Sequence, residues 1–149
     1  MNLNAIKRGL LLFWAIWTAI VFITNVTDVL KKLRVLSASW ALASGNYALM
    51  IDVTAIYRAP KWLVNALFCG VLLWEALGAW SYVRAASTIA AGVNQRRLAV
   101  RAFAINLALW AAFMFADEIF LAYSIENVHR AVFSTQLITL LAICLLPNE

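Results

Sequence analysis

The chain has 149 residues, of which 65% are hydrophobic and 13% charged, with a mean hydropathy of +0.85. A soluble domain carries about 25% charged residues, so the composition excludes an ordinary globular protein and predicts a single polytopic membrane domain over 1–149. The formal charge of +5 is not read as a nucleic-acid footprint. The basic residues stand beside apolar runs, as in loops facing anionic lipid, so the expected surroundings are a lipid bilayer, with no nucleic acid.

The N-terminus places Lys7 and Arg8 before a long apolar run, like the n-region of a signal peptide. No small-x-small cleavage site follows, which favours a retained anchor. Span 1 is predicted over 9–27, GLLLFWAIWTAIVFITNVT, ending in a polar knot of Asn25, Thr27 and Asp28 and then Lys31, Lys32 and Arg34. Trp14 and Trp17 share one face of it and are expected between helices.

Residues 33–57 have apolar side chains every three or four positions, from Leu33 and Leu36 to Trp40, Tyr47 and Met50. That spacing predicts amphipathic helical structure on the membrane surface, broken at Gly45-Asn46. A spanning or re-entrant helix over 35–51 is the rival reading.

Span 2 is predicted over 62–83, after Pro60, with Trp62, Trp80 and Tyr82 as aromatic anchors. Its one formal charge, Glu75, falls near the middle. A central acidic residue costs about 2.5–3.5 kcal/mol to insert, so it calls for a compensating partner. A polar loop over 84–97 leads to span 3, predicted over 98–121. Asn106 lies about 12 Å inside span 3, and Glu75 lies about 12 Å from the facing end of span 2. Arg101 is nearer the end but has a long reach. Glu75 is therefore expected to be satisfied by Asn106, by Arg101 or by a partner protein, or to carry a proton. A loop over 122–130 holds His129, expected to be solvated, and span 4 is predicted over 131–146. Its Ser134, Thr135, Gln136 and Thr139 are expected against other helices.

A second polar group is expected at the opposite surface. Asp28 ends span 1, Asp117 and Glu118 end span 3, and Arg58 and Lys61 precede span 2. They read as interfacial ion pairs or as a partner or ligand cluster. Cys69 and Cys144 read as small buried apolar side chains. No catalytic or metal-binding constellation is present in the sequence, and no cofactor is predicted. A haem anchor would normally need a second axial ligand. Four spans put both termini on one side. The basic residues divide evenly, six and six, and the dense 84–101 loop favours cytoplasmic termini.

Asn25-Val26-Thr27-Asp28 resembles the N-x-T-D element of the predicted small integral membrane proteins catalogued as domain-of-unknown-function family 2165. Tyr57-Arg58 and Trp74-Glu75-Ala76-Leu77 are similar to that family's Y-R and W-E-A-L elements. Phe113-Met114-Phe115 with Glu118-Ile119-Phe120, and the ending Leu146-Pro147-Asn148-Glu149, continue the likeness in order. The resemblance implies a four-span protein and brings no established activity.

The resulting expectation is an all-α integral membrane protein of the inner (plasma) membrane. It has four transmembrane helices and an amphipathic helical segment between spans 1 and 2. Its first functional reading is a non-catalytic accessory or scaffolding subunit with membrane-protein partners. The second is a small carrier or ligand-binding protein using a buried polar site around Glu75. The third is a quinone- or haem-associated anchor.

Overall fold

The computed structural model describes residues 3–88 and 95–147. They form five α-helices: α1 Leu3–Lys32, α2 Asn46–Thr54, α3 Lys61–Thr88, α4 Gln95–Ile119 and α5 Tyr123–Leu145. A 3₁₀ turn, Ala55–Tyr57, follows α2. All but α2 are long and apolar enough to cross a membrane, so the chain is a multi-pass membrane protein. Each span is longer than its apolar run implies. At 30 residues, α1 is about 45 Å long against a hydrocarbon core of about 30 Å, so its last turns project or tilt. The predicted loop over 84–97 is corrected at both ends, where residues 84–88 extend α3 and 95–97 begin α4, while 89–94 lie outside the described residues.

The closest helix pairs are α1–α3, α3–α4 and α4–α5. Small side chains permit this. Ala15 of α1, Gly78, Ala85 and Ala86 of α3, and Ala99 and Ala102 of α4 are buried at the seams, where dispersion and backbone proximity replace the hydrophobic driving force that lipid cannot supply. A core of Leu11, Trp14, Tyr82, Phe103 and Ile143 fills the half of the bundle near the chain ends. Lys7 closes that end by donating to the Pro147 carbonyl at 2.7 Å. Phe13, Ile16, Ile20 and Ile23 of α1, and Leu73, Leu77 and Trp80 of α3, point outward, as lipid-facing side chains do.

The segment between α1 and α2 corrects the prediction for 33–57. Only 46–57 is helical, and residues 33–45 are turns and extended chain. Two polar side chains and a backbone carbonyl of α1 take the backbone groups that a helix there would have used itself. Thr27 donates to the Leu42 carbonyl, Lys31 donates to the Trp40 carbonyl at 2.9 Å, and the Ser44 amide donates to the Thr24 carbonyl at 3.2 Å. The segment therefore folds back along α1. Gly45, at φ 78°, turns the chain into α2, a conformation that disfavours any residue with a Cβ.

Other expectations also change. Tyr82 is fully buried, edge-on to Phe103 at 5.0 Å, instead of anchoring at the surface. Trp62 and Trp80 do point outward, and Arg84 lies over the Trp80 ring at 5.4 Å. Cys69 is exposed and Cys144 half-buried, so Cys69 faces out of the bundle. Ser134 and Thr135 are exposed, with the Thr135 hydroxyl donating back to the Ala131 carbonyl. Gln136 alone of that group is fully buried.

Candidate functional site

Glu75 is 2% exposed, and its partner is not on the neighbouring span. Asn25 Nδ2 donates to Glu75 Oε1 at 2.7 Å, and Asn46 Nδ2 donates to Asn25 Oδ1 at 2.9 Å. One directed chain of amides thus runs from α2 through α1 to the carboxylate of α3. The expectation that Asn106 or Arg101 satisfies Glu75 is corrected. Asn106 is near the right depth, but its Nδ2 donates to the Ala102 carbonyl at 2.9 Å and the Gly78 carbonyl at 3.4 Å. Arg101 is exposed. An outward guanidinium at a helix end stays hydrated, which costs less than entering the bundle. Glu75 Oε2 is buried and has no hydrogen-bond partner among the described residues.

The expected second cluster is distributed over three tasks. Asp28 caps α2. Its Oδ2 accepts the Tyr47 amide at 2.8 Å, supplying from α1 the acceptor that Gly45 lacks. Asp117 is buried and meets His129 Nδ1 at 2.6 Å. Arg58, Lys61 and Glu118 are exposed, and among the described residues no ion pair joins Arg58 or Lys61 to Asp28, Asp117 or Glu118. What holds the 3₁₀ turn to α4 is Tyr57, whose hydroxyl donates to the Ile119 carbonyl at 2.7 Å while its ring meets Phe120.

Because Asp28 carries the cap, Asp28→Ala should loosen α2 and the folded-back segment by about 1 kcal/mol. Limited proteolysis in detergent should then cut within 33–45 faster, with the four long helices intact.

Above the apolar core the helices part to leave a cleft of about 440 Å³, with α2 along one side. Its walls are mainly apolar and aromatic: Phe68, Trp74, Trp110, Phe113 and Phe120. Asn25, Asn46 and Glu75 line its inner part. Toward the other end stand Asp117 and His129, with the imidazole stacked on Phe113 at 5.0 Å. Gly78 lies against Asn106, so Glu75, three residues earlier on α3, is level with Leu109 of the antiparallel α4, and Asp117, eight residues further on, is about 12 Å away along the helices. His129 was expected in a solvated loop, but it lies on the second turn of α5, which starts at Tyr123. Orientation of Nδ1 by a carboxylate leaves Nε2 as the nitrogen available to a ligand. Among the described residues no group of three or more His, Cys, Asp or Glu stands close enough to hold a metal ion.

The arrangement can bind. A mostly apolar cleft with a few convergent polar groups is the usual form of a small-molecule site, and about 300–1,000 Å³ is the usual size. An ionisable residue inside a membrane domain is itself a pointer to function. No protein-family model, curated protein or solved structure matches the chain.

Proposed function

We propose that this is a non-catalytic ligand-binding protein of the inner (plasma) membrane, which takes an amphipathic small molecule into the cleft between α2, α3, α4 and α5. The observation that carries the reading is the cleft's contact with Glu75, whose Oε2 is buried and unpartnered. The accessory-subunit reading drew its strength from buried polar groups in need of outside partners. Asn25, Asp117 and the Asn106 amide nitrogen instead meet partners within the chain, so these groups do not call for a second subunit. The resemblance to domain-of-unknown-function family 2165 rests on the order of short motifs alone and supplies no activity to the proposal.

Purification in mild detergent tests the reading. The protein should run without a stoichiometric protein partner, and organic extraction should release a small apolar molecule. A stoichiometric subunit that covers the cleft, with nothing extracted, supports the accessory role and contradicts the proposal.

The proposed orientation has cytoplasmic termini. Arg8, Arg84, Arg96, Arg97 and Arg101 gather at that end of the bundle, whereas Asp28, Asp52, Asp117, Glu118 and Glu126 all belong to the other. Six basic residues stand at each end, but those five acids offset the other one, and the remaining basic excess suits an anionic leaflet. With Cys69 and Cys144 replaced, a cysteine at the exposed position of Ala5 should react with an impermeant maleimide in inverted vesicles and not in intact cells. The reverse pattern contradicts the orientation.

A further inference from the structure

We propose that the ligand is a lipophilic organic monocation, such as a protonated amine or a quaternary ammonium or phosphonium compound with an apolar body. The inference rests on the binding reading above and adds the charge of the ligand. It stands first on the charges of the lining. Glu75 and Asp117 are the acids in the wall, His129 is the one other titratable group, and no lysine or arginine is among the lining residues. Among the described residues Glu75 has no ion-pair partner. Its Oε1 accepts from Asn25, which in turn accepts from Asn46. Both amides are spent on orienting an acceptor, and Oε2 is left facing the need for a donor or a positive charge.

The walls decide between those two. Trp74, Trp110, Phe68 and Phe120 line the cleft, and Phe113 joins them with the His129 imidazole stacked on its face. Ring faces attract a cation through their quadrupole and give no comparable gain to a neutral hydroxyl. The surroundings are poorly screened, so a positive charge near Glu75 gains far more than it would in water. Asp117 is already bonded to His129, which leaves Glu75 Oε2 as the carboxylate oxygen of the wall without a partner among the described residues, and a single cationic group on the ligand answers it. Entry is available from the lipid side: Gly70 of α3 lines the cleft, is exposed, and has open space where a Cβ would stand.

Two probes of similar aryl bulk and different charge separate the cases: tetraphenylphosphonium and the neutral alcohol triphenylmethanol. Each is measured by equilibrium dialysis against the purified full chain in nanodiscs, relative to empty nanodiscs. Wild type should bind the phosphonium at least tenfold more tightly than the alcohol. Glu75→Gln, which keeps an amide oxygen to accept from Asn25, should fold as wild type and lose at least tenfold of phosphonium affinity. Gly70→Trp, which sets an indole at the lipid-side mouth of the cleft, should lose it altogether. Equal binding of the two probes, or an unchanged phosphonium affinity in Glu75→Gln with loss in Gly70→Trp, overturns the cationic ligand and leaves a neutral one in the same cleft. Failure of wild type to bind either probe, or binding by Gly70→Trp as in wild type, overturns the cleft as a binding site and the cation with it.

Discussion

Replacing Gly78 by alanine should lower stability by about 1–5 kcal/mol, the largest effect expected of a single methyl group in this protein. A Cβ at that position would overlap Asn106 Oδ1 and come within 3.1 Å of its Cγ and Nδ2. Asn106 is 1% exposed and cannot swing outward. To make room it must give up its bonds to the Gly78 and Ala102 carbonyls, or α3 and α4 must separate. Overpacking accounts for about 1–3 kcal/mol and an unpaired buried amide for a similar sum, less about 1 kcal/mol for alanine's better helix propensity. Gly9→Ala is the matched control. Its Cβ meets nothing within 4 Å, and alanine is the better helix former by about 1 kcal/mol. Unfolding in a denaturing-detergent titration should therefore move early for Gly78→Ala and stay put or move late for Gly9→Ala. Equal midpoints for Gly78→Ala and wild type would show that the two helices do not depend on this close approach.

Asn25→Leu should cost about 2–3 kcal/mol, because it leaves the Glu75 carboxylate buried without any donor and strips Asn46 of its acceptor. The double variant Asn25→Leu with Glu75→Leu should recover most of the loss. Replacing both partners of a buried polar pair by apolar groups is close to neutral, whereas removing one leaves the other stranded. A double-mutant cycle in the same detergent titration reads this directly. Additive losses, with the double variant worse than either single one, would mean that Glu75 stabilises the bundle through contacts other than Asn25. Recovery would mean that the fold does not need a carboxylate at this depth.

The spans were legible because long apolar runs have few other destinations. Trp14 and Trp17 also sit as their spacing implies, ring against ring at 5.5 Å, with Trp17 reaching Trp110. The partner of Glu75 was not legible, for a physical reason. The polar residues Asn25, Thr27 and Asp28 look like the end of a span at 27, which places Asn25 at the surface. In fact α1 continues to Lys32 because residues 40–47 fold back and cover those side chains. That return of the chain is a tertiary event with no local periodicity, and it puts Asn25 level with Glu75. His129 was hidden similarly. The polar run from Tyr123 to Arg130 looks like a loop beside an apolar segment of only 16 residues over 131–146. Yet Arg130 pairs with Glu126 at i, i+4 and bonds Asn127, as residues on a helix do. A helix begun at Tyr123 turns His129 toward Asp117 across the tight turn after α4. The shortness of the apolar segment was the available signal that the helix had to start earlier.

The cleft as a ligand site is tested most directly by native mass spectrometry of the protein released from its own membrane, comparing wild type with Gly70→Trp and Gly9→Trp. Both variants add the same bulk at a glycine with open space around its Cβ, but only Gly70 lines the cleft. The account predicts that wild type and Gly9→Trp carry the same small molecule and that Gly70→Trp, folded to the same helical content, carries none. Retention of that molecule by Gly70→Trp would contradict it.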